Sequence, residues 1–508
     1  MIEATLEAPS LKRHDLTKSK LTLFEQCPKR LWLSVHRSDL IEIDDATQAR
    51  FDTGHAVGDL ACDLVEDGVM VTMDDGVPGA LEQTRELVKA GDKPIFEGTF
   101  QREGVLVRVD IMRPDGKGGW HVAEVKSTAS RKDYQIADLA TQVWVIEGAG
   151  VTVRSASIRH INTSFVYARE GDYLGFLMDR VSDEDIRPIA DERMPVVLEA
   201  RRTLQGDEPE IAPGPHCNDP FGCDFKEYCY RGTTQPEWPI SLLPRTGKKL
   251  AETYAAKGLE ELTQLAAGEL KNPLHERIRE ATSSGEAYHD AGKARELTKS
   301  WSYPRTYLDF ETVNPAIPRW IGTKPFQQIP FQFSAHVEAE PGTIEHRDFL
   351  SLKDQDPRRG FAEALLEAVP ADGAIITYNA TFERTRLKEL AVCFDDLSEP
   401  LRALADRVVD LEPVARQCWY HRDQRGSWSI KAVLPTIPGL NGYQELDVQD
   451  GIEAQRAYFE AICEPEGSER REELDQGLRE YCAKDTYAMV KLLWHLTDSG
   501  GLALATRR

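Results

Sequence analysis

Apolar and polar residues alternate with period two along EGVLVRVDIMRPDGKGGWHVAEVKST, residues 103–128. That pattern predicts a β-hairpin: a strand ending at Asp110, a turn through Pro114, Gly116 and Gly118, and a second strand from His121. Helical and strand patterns mix through the rest of residues 1–235. They stop at a proline-, glycine- and cysteine-rich stretch, PGPHCNDPFGCDFKEYCYRGTTQPEWP, whose composition marks a boundary. Residues 236–300 have helical spacing interrupted by Gly258 and Gly268, with no strand signal, and read as a small helical connector. After Pro304 the run RTYLDFETV is extended, and strands then alternate with helices, which predicts an α/β domain over residues 301–508. No internal repeat is visible.

A chain of 508 residues exceeds one ordinary core, in keeping with two or three domains. No stretch reaches the roughly 18 to 20 apolar residues of a membrane span, and the first residues lack the apolar core of a signal peptide, so the expected location is the cytoplasm and no membrane partner is expected. A net charge of -23 argues against coating nucleic acid by bulk attraction, and any such contact must be local. The candidate patch lies between Leu11 and Arg37, where Lys12, Arg13, Lys18, Lys20, Lys29, Arg30 and Arg37 outnumber Asp15 and Glu25; a solvated basic face is the other reading. Of nine cysteines, Cys217, Cys223 and Cys229 cluster and have one distant partner in Cys27, which points toward metal. Cys62, Cys393, Cys418, Cys463 and Cys482 read as core residues.

Strand geometry puts Glu124 and Lys126 on one face, and Asp110 can sit beside them across the hairpin. Two carboxylates near a lysine can hold a hard divalent cation while the ammonium orients water. This order, Asp, hairpin, Glu-x-Lys, resembles the core of the PD-(D/E)xK nuclease superfamily. Upstream, FDTGHAVGDLA resembles the helix that supplies a metal-binding histidine in RecB-like nucleases, which would make His55 a ligand. Gln142, in DLATQVWVIEGAG, resembles the glutamine that follows the Glu-x-Lys strand, and Glu97 in IFEGTF can reach the same pocket. The same nucleases often carry a 4Fe-4S cluster on one early and three late cysteines; the resemblance implies Cys27, Cys217, Cys223 and Cys229 here. Their C-x5-C-x5-C spacing departs from the shorter first gap of those relatives, and a four-thiolate zinc site remains the alternative.

In RTYLDFETV the alternation places Tyr307, Asp309 and Glu311 on one face, with Leu308 and Phe310 on the other. A second stretch, AIITYNATFERTRLKEL, runs from a strand through Asn379 to Glu383 near a helix start. A third, YCAKDTYAMVKLLWHL, sets Tyr481 and Asp485 on one helix face. In order and spacing the three resemble the DEDDy branch of DnaQ-like 3'-5' exonucleases. The resemblance implies that Asp309, Glu311, Glu383 and Asp485 hold two Mg2+ or Mn2+ ions while Tyr481 places the attacking water. Glu383 stands where those exonucleases have aspartate. YNATFERTRLKEL and GSWSIKAVLPTIPGLNGYQEL also resemble a bacterial family of unknown function in the RNase H-like clan, in which this glutamate belongs. Ser427, Trp428, Ser429 and Lys431 sit near a helix start that can accept phosphate while the tryptophan stacks on a base, or else form a plain cap with a packed tryptophan. Asp410 is a candidate strand-end residue behind the site.

The fold class expected is therefore α/β, with an N-terminal restriction-endonuclease-like fold and a C-terminal RNase H-like fold. The connector between Leu242 and Leu270, containing PRTGKKLAETYAAKGLEEL, loosely resembles a helix-hairpin-helix, with Gly247, Lys248 and Lys249 on phosphates; a packing spacer is the plainer reading. The function implied is a metal-dependent nuclease acting on single-stranded or end-containing DNA, or on RNA, in repair or antiviral defence. The rival is a nucleic-acid-binding or assembly module with a structural cluster and inactive sites. A redox role is disfavoured because no flavin or nicotinamide fingerprint accompanies the cysteines.

Overall fold

The computed structural model describes residues 16–41, 45–440, 448 and 450–499. Lys12, Arg13 and Asp15 of the basic patch, and residues 441–446 of the last family-like stretch, lie outside the described residues. The chain is mixed α/β and divides into two compact units, Met1–Thr233 with Pro315–Phe326, and Thr234–Asn314 with Gln327–Arg508. No described helix is long and apolar enough to cross a membrane.

In the first unit a mixed sheet runs in the order β2 (Val69–Met70), β3 (Ile95–Arg102), β4 (Val105–Pro114), β5 (Trp120–Lys126), β6 (Val153–Ile161), β7 (Leu177–Val181), and β1 (Leu16–Thr17) pairs with β4. The predicted hairpin is β4–β5; its first strand continues four residues past Asp110, and the turn is closed by Asp115, which accepts the N–H groups of Lys117 and Gly119. Helices α1 (Lys18–Gln26), α2 (Pro28–His36), α3 (Asp45–Asp63), α4 (Gly76–Ala90), α5 (Asp133–Gly148), α6 (Asp183–Asp191), α7 (Arg193–Gln205) and α8 (Lys226–Tyr230) surround it. One core joins Leu21 of α1, Val143 of α5 and Val197 of α7 to Val109 and Val122 of the sheet. On a second, Val57 of α3 meets Ile161, Phe176 and Ala316. Residues Pro315–Phe326 were expected in the C-terminal domain, but Ala316 and Phe326 bury apolar surface here.

The second unit contains α9 (Gly247–Ala255), α10 (Pro273–Ser284), β8 (Tyr288–His289), α11 (Ala291–Thr298), β9 (Arg305–Val313), β10 (Ile329–Glu340), β11 (Thr343–Leu350), α12 (Arg358–Ala368), β12 (Ile375–Thr377), α13 (Thr381–Cys393), α14 (Ser398–Arg407), β13 (Val408–Asp410), α15 (Glu412–Cys418), β14 (Trp419–Tyr420), α16 (Ile430–Val433), α17 (Gly451–Cys463) and α18 (Glu469–Thr497). Its main sheet has the order β11-β10-β9-β12-β13, with β10 antiparallel to both neighbours and β12 parallel to β9 and β13. The alternation of RTYLDFETV decides what each face of β9 buries. Leu308 and Phe310 pack with Phe333, Phe361 and Leu387, while Tyr307 enters a core with Val490 and Leu493 of α18.

Residues 236–300 are not a separate connector. Ile240, Leu243, Leu262, Leu270 and Ile278 share the core of Tyr307 and α18, and a strand that the pattern did not signal, β8, pairs with β14. Helical periodicity reports that a segment has an apolar face, not which core receives it. Gly426, at φ +78°, lies so close to this segment that a Cβ there would stand 1.9 Å from the Leu242 carbonyl oxygen. Gly426→Ala is therefore expected to destabilise the second unit by about 2 kcal/mol or more, read as a lower urea midpoint for that unit's transition.

Candidate functional site

In the first unit the β4–β5 ladder ends at Ile111 opposite Ala123, and the strands separate at the next residue. Asp110 fills the gap: its Oδ2 accepts the Val125 N–H at 2.6 Å. Glu124 is buried, and its Oε1 accepts from Lys126 Nζ at 2.8 Å and from Lys18 Nζ at 2.5 Å, while Oε2 accepts from Gln142 of α5. Lys126 also faces Asp138 Oδ2 at 3.5 Å. The hairpin and α5 thus bring Asp110, Glu124, Lys126 and Gln142 together, and α1 adds Lys18, which the sequence showed only as one of several basic residues. Burial alone would raise Glu124, but Lys18 and Lys126 outweigh it and hold the carboxyl well below the usual range. Asp110 moves the other way, to about 7, through burial and the charge of Glu124.

His55 does not join them. Val57 and Ala61 are the fully buried positions of α3, which leaves His55 exposed, and it is not gathered with Asp110 and Glu124 into donors within 4.8 Å of one another. Glu97 pairs with Arg108, Oε2 to Nε 3.1 Å, and its charge also reaches Asp110, adding to the rise of that carboxyl.

The four early and late cysteines line one narrow pocket with Lys29, Arg30 and Phe225. None of the four is in a disulfide. Gln26, beside Cys27, donates to the carbonyl oxygens of His216 and Phe221, 2.8 Å each, and Arg30 reaches Asp224 at 2.8 Å, so α1 and α2 hold the late loop in place. A single tetrahedral zinc needs sulfurs roughly 3.8 Å apart. Among the described residues no three of these sulfurs lie within 4.8 Å of one another.

In the second unit Asp309, Glu311, Asn379, Glu383, Lys431, Tyr481 and Asp485 line one open cavity. Each reaches it for a local reason. Asp309 and Glu311 project from the α18-facing side of β9, opposite Ser334 and Gln332 of β10, whose side chains bond to Thr486 and the Leu478 carbonyl of α18. Asn379 takes a left-handed turn, φ +74°, that swings the chain from β12 into α13, where Glu383 lies in the first turn. Asp410 fixes that turn by accepting the N–H groups of Asn379 and Ala380, at 3.0 and 3.1 Å, the role suspected for a strand-end residue. Tyr481 and Asp485 share a face of the 29-residue α18.

Ser429 and Trp428 do not line the cavity. Ser429 Oγ caps the single turn of α16, accepting the Ala432 N–H at 3.3 Å, and Trp428 is buried with its indole N–H on the Trp419 carbonyl. Of the plain-cap and phosphate-site alternatives, the geometry is that of the cap. Lys431 alone of that group faces the acids, with Nζ 5.2 Å from the centre of the Tyr481 ring.

Burial and the charges of Asp485, Glu311 and Glu383 push the Asp309 carboxyl well above its ordinary range. Burial and Asp485 raise Glu311 to about 8 against the pull of Lys431, and burial raises Glu383 to about 8, with Asp410 adding to it. Glu383 Oε2 is buried without a hydrogen-bond partner. Hard oxygen donors, one of them orphaned, suit a divalent cation. Asp309 and Glu311 are joined by a residue read from sequence as plain core: Cys482, whose sulfur completes a set of three donors within 4.8 Å of one another. Its spacing of three from Asp485 was the available signal.

A family described as a domain of unknown function, DUF2779, matches residues 306–429, which include Asp309, Glu311, Asn379 and Glu383 but not α18. This agrees with the expected resemblance to a family of unknown function. An uncharacterized protein of Mycoplasma genitalium is 24% identical over 241 residues, covering 43% of this chain and 36% of that protein. An uncharacterized homolog from Mycoplasma pneumoniae is 24% identical over 274 residues, covering 47% of this chain and 40% of its own length. An uncharacterized Ureaplasma parvum protein is 26% identical over 213 residues, 37% of this chain and 30% of that one. The chain spans well under half the length of the curated relatives it matches.

The raised carboxyls give a pH dependence of known sign. The folded state retains protons on Glu311 and Glu383 up to about 8, whereas unfolded glutamates release theirs near 4.3. The folded state therefore binds more protons across that interval, and stability falls as pH rises through it. Thermal melts in EDTA are expected to drop between about pH 5 and about pH 8, with Mn2+ restoring more at the upper end; in Glu311→Gln the drop is shallower.

Proposed function

We propose that this protein is a metal-dependent nuclease that hydrolyses phosphodiester bonds, with a 3'-5' exonuclease site in the second unit and a PD-(D/E)xK site in the first. The observation that carries the reading is the convergence of Asp309, Glu311, Glu383 and Asp485, from one strand and two helices, on a single cavity with Tyr481 and Lys431. The sheet order β11-β10-β9-β12-β13, with β10 alone antiparallel, supports an RNase H-like assignment. A divalent cation held by these carboxylates would supply an activated water and neutralise the scissile phosphate. The protein's own part is to keep the acids converged, to offset their charge with Lys431, and to orient a nucleophile through the Tyr481 hydroxyl.

In the first unit Lys126 offers an ammonium beside Asp110 and Glu124, as a PD-(D/E)xK site requires. We read Cys27, Cys217, Cys223 and Cys229 as holders of a structural iron-sulfur cluster that ties residue 27 to residue 229. The substrate class is nucleic acid, single-stranded or end-containing DNA first and RNA second.

The reading is tested on 5'- and 3'-labelled single strands with Mn2+ or Mg2+. Asp309→Ala is expected to abolish mononucleotide release from the 3' end, by at least about a hundredfold, while Lys126→Ala leaves that release in place. A wild-type protein that binds strands yet never yields nucleotides with either cation is a binding module instead.

A further inference from the structure

The acidic pair of β9 has a thiol beside it. Cys482, fully buried on α18, has its sulfur 3.8 Å from Asp309 Oδ2 and 3.9 Å from the Asp309 carbonyl oxygen. One oxygen of Asp309, one of Glu311 and this sulfur all lie within 4.8 Å of one another. A second observation comes from the cavity that Asp309 and Glu311 line: Glu383, which also lines it, is only 2% exposed, and its Oε2 has no hydrogen-bond partner.

Divalent cations respond differently to such a mixed set. Mg2+ is hard, takes oxygen donors and leaves sulfur uncoordinated. Zn2+ and Co2+ are borderline and accept thiolate beside carboxylate, with zinc-sulfur bonds of about 2.3 Å and zinc-oxygen bonds of about 2.0 to 2.2 Å. Two such bonds at a tetrahedral angle separate their ligand atoms by roughly 3.5 Å, so donors already within 4.8 Å need only a small closure.

We propose that Cys482 is a sulfur ligand that, with Asp309 and Glu311, makes a second coordination mode in the acidic cavity, selective for borderline divalent cations such as Zn2+ and Co2+. With Mg2+ the S–H stays intact and donates to Asp309. With a borderline cation the S–H bond breaks, its proton passes to solvent, a sulfur-metal bond forms, and no electron changes hands. The cavity thereby sorts cations by softness, and borderline ions compete with the hard ones for Asp309 and Glu311. The inference rests on the reading of this cavity as a cation site, but not on its cutting nucleic acid.

The test is a Co2+ titration of the full-length protein, following thiolate-to-cobalt charge-transfer absorbance in the near ultraviolet. Cys27, Cys217, Cys223 and Cys229 remain in every variant, so their contribution cancels in difference spectra. Wild type minus Cys482→Ser is expected to show the band, with Co2+ affinity at this site weaker in the variant by at least about tenfold. Asp309→Asn is expected to remove the same band, and Mg2+ affinity in Cys482→Ser to change by less than about twofold. Should serine at this buried position prevent folding, judged by circular dichroism, Cys482→Ala gives the same comparison. Co2+ spectra indistinguishable between wild type and the Cys482 variants overturn the proposal, as does a Cys482-dependent band that survives Asp309→Asn. A protein that never releases nucleotides but shows the band keeps this inference and loses the nuclease reading. Mn2+-dependent nucleotide release without the band does the reverse.

Discussion

Like charges held together out of water are the constraint around which the second unit is built. At an effective dielectric constant of about 20, two unit charges some 4.8 Å apart repel by roughly 3 to 4 kcal/mol, and Asp309 and Glu311 lie within that distance, with Glu383 and Asp485 in the same cavity. Nothing local would hold them there. The convergence is imposed by apolar packing on both faces of β9, by Phe310 against Phe333 and Phe361 on one side and by Tyr307 with α18 on the other. Polar pins reinforce it. Gln332 reaches the Leu478 carbonyl and Ser334 reaches Thr486, fixing α18 against β10 where Asp485 must face Asp309. Protons or cations must then relieve the repulsion, and the raised carboxyls are its cation-free expression.

The first unit meets the same problem with internal cations. Glu124 is as deeply buried as Glu383, yet two ammonium groups and an amide saturate its oxygens. The two acidic sites therefore differ in what a cation would meet: one offers an orphaned carboxylate oxygen, the other a glutamate already clasped by lysines. Under the nuclease reading, a metal entering the first site displaces at least one of those ammonium contacts, whereas in the second it replaces protons.

What the sequence revealed and what it concealed divide along the range of the contacts. Asp309 with Glu311, and Tyr481 with Asp485, were legible because strand and helix periods place side chains on faces without reference to the rest of the fold. The hairpin carrying Asp110, Glu124 and Lys126 was legible for the same reason. Lys18 was not, since its bond to Glu124 spans 106 residues of chain. Cys482 looked like core because the polar partner of its thiol, Asp309, is 173 residues away. His55 was placed by resemblance alone, and the burial of Val57 and Ala61 turns it to solvent. The segment 236–300 showed an apolar face that periodicity could not assign to a core, and β8, at two residues, is too short for any pattern to mark.

The glutamate at 383 becomes intelligible once Asp410 is considered. A carboxylate in the first turn of a helix is drawn to the free N–H groups there, and a short side chain at 383 would compete for them. Asp410 occupies the N–H groups of Asn379 and Ala380 from the end of β13. Glu383 keeps its own backbone N–H and the Thr377 hydroxyl as hydrogen-bond partners of its carboxyl, and Oε2 stays buried and unpartnered in the cavity that Asp309 and Glu311 also line. Asp410 holds the helix entrance through the Asn379 and Ala380 N–H groups while Glu383, one turn further on, lines the cavity.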